Sequence, residues 1–168
     1  QTYVGFRSFE YCEQLENKHI PYLTGEYAFG GCRNAKTIKI NDDVTSLTNC
    51  VCAGCSSLEE LYMPDSVTML SFECFKYCGF KKVRLSNNLT HIPCYLFDSC
   101  HNLKEITFND DITILGTNAF SKTNLEKAIF LGERVYTTGS NIFEENNITL
   151  TIFVHEQYYN NFIKNLLT

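Results

Sequence analysis

The chain alternates apolar and polar residues in short segments that recur at regular intervals. A period of two places successive side chains on opposite faces of a strand, so each segment predicts a strand with one buried and one solvated face. Turn-forming Asn, Asp, Ser and Pro residues follow, and then a second run rich in β-branched residues that also favours strand. The longer segments are residues 36–40, 59–63, 81–85, 104–108 and 126–130, and the shorter runs are residues 44–47, 67–70, 89–92 and 112–115.

One aromatic position recurs along the chain at a nearly constant interval, and in several units a cysteine follows it at a fixed distance. A unit of about 23 residues cannot bury its apolar side alone, so the units must stack and cover one another. The repeat predicts a solenoid in which equivalent strands form a parallel sheet, spaced about 4.8 Å apart, with the aromatic and cysteine segments on the opposite wall. The aromatic position is occupied by Phe29, Cys52, Phe75, Phe97, Phe120 and Phe143, and the cysteines are Cys32, Cys55, Cys78 and Cys100.

The order of these residues resembles the BspA-type leucine-rich repeat of bacterial and protist proteins. The resemblance covers about residues 6–154 and is fullest in residues 96–108, which read Leu-Phe-x-x-Cys-x-x-Leu-x-x-Ile-x-Phe. It is also clear in Ala28-Phe29-x-x-Cys32 and in Leu58-x-x-Leu61-x-Met63-Pro64. The resemblance implies a repeat solenoid of the leucine-rich-repeat class, a parallel β-sheet stack of about 23-residue coils. It further implies surface display and contact with another protein of host, matrix or cell.

The two ends of the chain depart from this pattern. The interval from Phe9 to Phe29 is shorter than the others and the unit of Phe9 lacks a clear strand, which predicts an irregular N-terminal coil. That end shows no cap, so further repeats or another domain are expected before Gln1. After a last strand at 150–154, apolar residues at helical spacing predict an amphipathic C-terminal capping helix over the final coil. The predicted divisions of the single domain, residues 1–168, are the irregular coil 1–27, the repeats 28–154 and the capping helix 155–167.

Composition narrows the function classes. With 44% hydrophobic residues the chain has enough apolar area to fold. Fourteen Lys and Arg against 19 Asp and Glu give a net charge of −5, which disfavours nucleic acid as a partner because binding it requires clustered cations. The chain has no run of 18 apolar residues, so no membrane-spanning segment is predicted.

The segment Cys52-Ala-Gly-Cys55 has the spacing of a thioredoxin-type redox pair or of half a zinc site, and Cys74 and Cys78 could complete the latter. The repeat register favours another interpretation, since Cys55 is the regular cysteine and Cys52 replaces the aromatic residue. Both are therefore expected to be buried structural thiols. Cysteines on successive coils could also meet the distance for disulfides, although nine cysteines leave at least one unpaired. A metal or redox protein stays a distant alternative.

The remaining candidates for chemistry are weak. His19, His91, His101 and His155 lie in different units without metal-ligand spacing, and no catalytic triad order, phosphate loop or paired catalytic carboxylates stand out, so neither an enzyme nor a cofactor is predicted. The Asp pairs offer too few oxygens for calcium and are interpreted as turns. Two segments match the glycosylation pattern, for which chance is an equally good explanation. The Asp pairs lie at 42–43 and 110–111, and the glycosylation patterns lie at 88–90 and 147–149.

The outward positions of the predicted strands are the best candidates for a binding surface. In one column Glu and Lys alternate between coils, which stabilises neighbouring strands whether or not a ligand binds. In the other, Tyr62 and Arg84 adjoin, and these two residue types are enriched at binding hot spots. An ordinary solvated sheet is the alternative. The charged column is Thr37, Glu60, Lys82, Glu105 and Lys127. The column that contains Tyr62 and Arg84 is Lys39, Tyr62, Arg84, Thr107 and Ile129.

The sequence thus predicts a non-enzymatic module that binds another protein through its exposed sheet. The family resemblance makes adhesion or recognition at the cell surface the leading hypothesis. An intracellular scaffold or regulatory module of a larger protein is the close alternative, because unpaired cysteines fit a reducing compartment and no signal peptide is visible.

Overall fold

In the computed structural model the chain winds into a solenoid of similar coils, as the repeat predicts. The structure describes residues 3–20, 23–132, 136, 137, 139–146 and 149–160. Each coil contributes a longer strand, a shorter strand and a turn segment to three walls, and the strands pair in parallel between coils. The longer strands are β2 (Asn17–Ile20), β4 (Thr37–Ile40), β6 (Glu60–Tyr62), β8 (Lys82–Arg84), β10 (Glu105–Phe108), β12 (Lys127–Phe130) and β14 (Thr151–Val154), and the shorter are β1 (Tyr3–Val4), β3 (Leu23–Thr24), β5 (Ser46–Leu47), β7 (Met69–Leu70), β9 (His91–Ile92), β11 (Ile114–Leu115) and β13 (Tyr136–Thr137).

The wall of longer strands is interrupted at two places. Its strands pair as β2–β4, β6–β8 and β10–β12–β14, so the described residues form no ladder between β4 and β6 or between β8 and β10. The connection to the strand is one residue shorter after Cys78 and Thr123 than after Cys55 and Cys100. The shorter connection draws β8 towards β6, and the N–H groups of Lys81 and Lys82 both donate to the carbonyl of Glu59.

The turn segments form a wall with its own hydrogen-bond ladder. In each segment alternate N–H groups donate to carbonyls of the next coil, for example Phe29 to Val51 at 2.9 Å. The segments also place residues in the left-handed backbone region, at Gly31 and Gly54 but also at many non-glycine residues such as Lys122. Each such residue costs about 1–2 kcal/mol for an L-amino acid.

We therefore expect Lys122→Gly to stabilise the protein by about 1 kcal/mol, because glycine adopts a positive φ without steric cost. The φ of Lys122 is 55°, and its ion pair with Glu145 joins two exposed side chains 3.7 Å apart, which contributes little. Lys122→Ala removes the same side chain and keeps the strain, so it is the control. Urea unfolding measures both, and a glycine variant no more stable than the alanine variant contradicts the expectation.

The core is a stack of phenylalanine rings between the walls. Neighbouring ring centroids lie 5.9 Å apart for Phe75 and Phe97, 5.5 Å for Phe97 and Phe120, and 5.8 Å for Phe120 and Phe143. Cys52, fully buried, takes the ring position one coil earlier. The aromatic position of the repeat is thus the axis of the core.

Both ends of the chain differ from the sequence-based expectation. Within its described residues the first coil has both strands, since β1 pairs with β3 and β2 with β4, whereas the sequence predicted an irregular coil over 1–27. The capping helix predicted for 155–167 is not seen among its described residues, which form a 3-10 turn at Glu156–Tyr158 followed by helical backbone at residues 159 and 160. Residues 161–167 lie outside the described part of the chain.

Candidate functional site

The outward columns predicted from the sequence lie on the wall of longer strands. The registers place Tyr62 opposite Arg84 and Thr107 opposite Ile129. Lys39 is in register with His19 and lies across the interruption between β4 and β6 from Tyr62. The structure therefore divides the predicted surface into separate patches.

The charged column is a set of ion pairs between neighbouring coils. Lys82 contacts Glu60 at 3.1 Å, and Lys127 contacts Glu105 at 3.3 Å, in the predicted cross-strand positions. These side chains are exposed, so each pair contributes little to stability. Because each carboxylate already has a cationic partner, this column is better suited to fixing strand register than to attracting a charged ligand.

Arg84 is held by its own chain. Its guanidinium pairs with Asp65 at 2.7 Å, donates to the carbonyl of Met63 and lies 4.9 Å from the centre of the Tyr62 ring. The neighbouring Arg84 guanidinium and the N–H of Asn87 lower the pKa of the Asp65 carboxyl. Tyr62 is 65% exposed, so Arg84 supports one face of a ring whose remaining surface is open.

Asp65 supplies a pH-dependent test of this arrangement. Its folded-state pKa lies below the ordinary value of 3.8, so its contribution to stability is complete above that value and is lost as the pH falls through the folded-state pKa. We expect Arg84→Ala to have its largest destabilising effect near neutral pH and a smaller one at low pH. Urea midpoints of both proteins across the acid range measure this, and a difference that is constant with pH contradicts it.

A groove runs along the corner where the turn wall meets the longer strands. It has a volume of about 720 Å³, and we call it the corner groove. One lining residue is Gly79 of the shortened coil, which lies so close to the preceding coil that an added Cβ would be 2.1 Å from the carbonyl oxygen of Ser56. The lining residues are Lys36, Thr37, Ile38, Ser56, Ser57, Glu59, Glu60, Tyr62, Gly79 and Asn102.

The corner groove contains only part of the predicted site. Thr37, Glu60 and Tyr62 line it, while Lys82, Glu105 and Thr107 line a smaller groove of about 310 Å³ between β8 and β10, together with Lys81 and Val83. The other polar residues that line the corner groove, such as Ser56 and Asn102, were not predicted from the sequence as part of the site. The one-residue shortening at Gly79-Phe80 is the signal that could have indicated them.

The cysteines that suggested metal or redox chemistry are buried thiols with structural hydrogen bonds. The Sγ atoms of Cys55 and Cys78 donate to the carbonyls of Phe29 and Cys52 at 3.1 and 3.2 Å, and Cys74 donates to Ser71 at 2.9 Å. The regular cysteines of the repeat therefore donate hydrogen bonds to backbone carbonyls of the preceding coil. None of the nine cysteines, all within the described ranges, forms a disulfide.

Burial also disfavours the reactive thiolate form of these cysteines. Desolvation raises the pKa of Cys74 and of Cys100 to about 12 and raises the pKa of Cys78 well above its ordinary value. A redox cysteine needs a lowered pKa and access to solvent. The geometry therefore favours the structural interpretation.

We expect two of the nine thiols, Cys12 and Cys94, to react quickly in the folded protein at about pH 8, because these two are half-buried and the other seven are buried. Thiol titration before and after unfolding, with mass-spectrometric assignment, measures the number and identity. Rapid modification of Cys52 or Cys55 in the folded protein would contradict the structural interpretation.

The remaining candidate residues have local roles. The Asn109 side chain accepts hydrogen bonds from the N–H groups of Asp111 and Ile112, which forms the turn predicted at 110–111. Asn88 donates through its amide to the carbonyl of Asp65 at 2.7 Å, and Asn147 lies outside the described residues. Within the described ranges no three His, Cys, Asp or Glu side chains group closely enough to hold a metal ion. No helix in that part of the chain has the length and apolar composition needed to cross a bilayer.

Parallel strands stacked on two walls, a turn wall and a buried aromatic column define a leucine-rich-repeat solenoid. The family described as BspA type leucine rich repeat region, with six copies, matches residues 1–71 and 23–151, and the chain belongs to this family. The family and fold support a protein-interaction module and are typically non-enzymatic. A comparison with curated proteins finds no match.

Solved structures of bacterial leucine-rich-repeat proteins share the fold. A leucine-rich repeat protein from Eubacterium ventriosum is 26% identical over 65% of this chain and 31% of its own, with a TM-score of 0.60. A leucine rich cell surface protein from Faecalibacterium prausnitzii is 16% identical over 94% and 65%, with a TM-score of 0.53. A leucine-rich repeat protein from Bacteroides ovatus is 22% identical over 89% and 55%, also at 0.53. The chain therefore spans between 31% and 65% of the lengths of these proteins.

Proposed function

We propose that this chain is a non-enzymatic module that binds another protein through the corner groove and the adjoining sheet surface. The observation that carries the proposal is Tyr62, a large ring that is 65% exposed on a strand, supported by Arg84 and lining the groove. Tyrosine contributes much contact area at low entropic cost and is enriched at binding hot spots. The proposed contact surface comprises Lys39, Glu60, Tyr62, Lys82, Arg84, Glu105, Thr107, Lys127 and Ile129.

We further propose that the module acts at a cell surface, in adhesion or in recognition of a host, matrix or cellular protein. Membership of the BspA-type family and the likeness to a protein named as a leucine rich cell surface protein support this location. The alternative, an intracellular scaffold or regulatory module, is favoured by nine cysteines that form no disulfide.

The test of the proposed function is the affinity of Tyr62→Ala for a protein partner captured by the wild-type chain. Removing a hot-spot ring costs about 2 kcal/mol or more, so Kd should rise about 30-fold. Tyr159→Ala is the matched control, because Tyr159 is 54% exposed and lies beyond the last strand, β14. An unchanged affinity of Tyr62→Ala would overturn the proposed site. Arg84→Ala is unsuitable alone, because it also removes the Asp65 ion pair.

A further inference from the structure

The corner groove extends beyond the residues around Tyr62. A second depression of about 290 Å³ is lined by Glu13, Gln14, Glu16 and Asn34 of the first two coils, and it shares Lys36 and Ser57 with the corner groove. The two adjoin at these shared residues, and we call them together the channel; its lining follows the solenoid axis from the first coil past the coil of Tyr62. A channel of this shape suits an extended segment rather than a compact ligand.

The charges along the channel are predominantly negative. Its lining carries the carboxylates of Glu13, Glu16, Glu59 and Glu60 and the single ammonium of Lys36. Glu59 and Glu60 are paired with Lys81 and Lys82 outside the lining, whereas Glu13 and Glu16 have no ion-pair partner among the described residues. The first-coil end of the channel is therefore complementary to a cationic side chain.

The other end offers an aromatic wall and polar donors. The Tyr62 ring lines the channel beside the hydroxyls of Ser56 and Ser57, and the Asn102 amide, which donates one hydrogen bond to the carbonyl of Gly79 at 3.3 Å, has a second N–H. A polyproline II segment has no internal hydrogen bonds, so its carbonyls can accept from such donors. Its proline rings pack on aromatic side chains, and its pre-formed conformation lowers the entropic cost of binding.

We propose, resting on the proposed function, that the partner presents a proline-rich polyproline II segment with a basic residue, prolines packing on Tyr62 and the basic side chain pairing with Glu13 and Glu16. Glu16 and Tyr62 are two coils apart along the axis, about 10 Å, and three residues apart along the strands, again about 10 Å. The separation of about 14 Å corresponds to four or five residues at about 3.1 Å each in polyproline II. The basic residue therefore lies four or five positions from the prolines.

Fluorescence anisotropy with the whole 168-residue chain tests this, using the labelled peptide Pro-Pro-Ala-Ala-Ala-Arg, whose prolines lie five and four positions from the arginine. We expect saturable binding that Tyr62→Ala weakens at least tenfold, and that Glu13→Gln with Glu16→Gln weakens about threefold with loss of salt dependence. Tyr159→Ala and Glu144→Gln, at exposed positions near the other end, should leave binding unchanged, and circular dichroism confirms that each variant is folded.

Three results would overturn the proposal: no saturable binding, equal binding of the peptide with Glu in place of Arg, or binding of heparin at the same site. If the peptide fails while Tyr62→Ala still weakens capture of the protein partner, the proposed function stands and the polyproline assignment falls. If Tyr62→Ala changes neither, both the proposed site and the assignment fall.

Discussion

We expect Phe97→Ala to lower the free energy of unfolding by about 3–5 kcal/mol, the usual cost of removing a fully buried phenylalanine ring. Phe97 has no exposed surface and lies at the centre of the aromatic column. Its ring stacks on Phe75 and Phe120 and meets Phe80 edge-on with centroids 6.3 Å apart. Truncation leaves a cavity between coils that rigid strands on both sides cannot close. Guanidinium unfolding followed by circular dichroism measures the change.

Phe72→Ala is the matched control for Phe97→Ala. Phe72 is 59% exposed, so the same truncation should change the free energy of unfolding by no more than about 0.5 kcal/mol. Equal effects of the two variants would mean that the aromatic column is not the axis of the core.

Gly79→Ala is the second variant with a large expected effect. Its added Cβ would lie 2.1 Å from the carbonyl oxygen of Ser56 and 3.2 Å from that of Leu58, both backbone atoms that cannot rotate away. We expect a loss of about 1–3 kcal/mol in unfolding free energy, typical of overpacking, because the shortened coil must move outward. That movement also disrupts the hydrogen bonds from Lys81 and Lys82 to Glu59, so we expect weaker binding of the proposed protein partner.

Gly30→Ala separates the effect of the clash from that of losing a buried glycine. Gly30 is also buried, but the nearest atom to its added Cβ is 3.4 Å away, so this variant should be nearly neutral. Unfolding midpoints and partner binding are measured for both variants. A Gly79→Ala protein as stable as Gly30→Ala would contradict the account of the shortened coil.

The repeat made the fold predictable from the sequence. The period of two within each strand and the nearly constant interval between coils are both one-dimensional signals, so the parallel stacking and the buried column through Phe75 and Phe97 follow directly. The cross-strand pairing of Glu60 with Lys82 followed for the same reason, because stacking fixes which residues are neighbours. The family resemblance agreed with both.

Features that depend on how successive coils fit together were not predictable. The interruption between β4 and β6 has no counterpart in the periodic pattern, because the connections after Cys32 and Cys55 are equally long. The close approach of Gly79 to Ser56 is likewise a contact between coils. The pairing of Arg84 with Asp65 joins a strand to a turn of the preceding coil, which no periodic pattern indicates. The cap predicted at the C-terminal end came from apolar spacing alone, and its described residues form a 3-10 turn with two helical residues after it.

We propose that Tyr62 contacts a protein partner. Photo-cross-linking detects such a contact, with a benzophenone amino acid placed at position 62 in one protein and at position 159 in another, each irradiated in an extract of the native source. We expect a discrete adduct with one protein at position 62, which excess unlabelled chain competes away and which position 159 does not give. Identical adducts at both positions, or none at position 62, would contradict the claim.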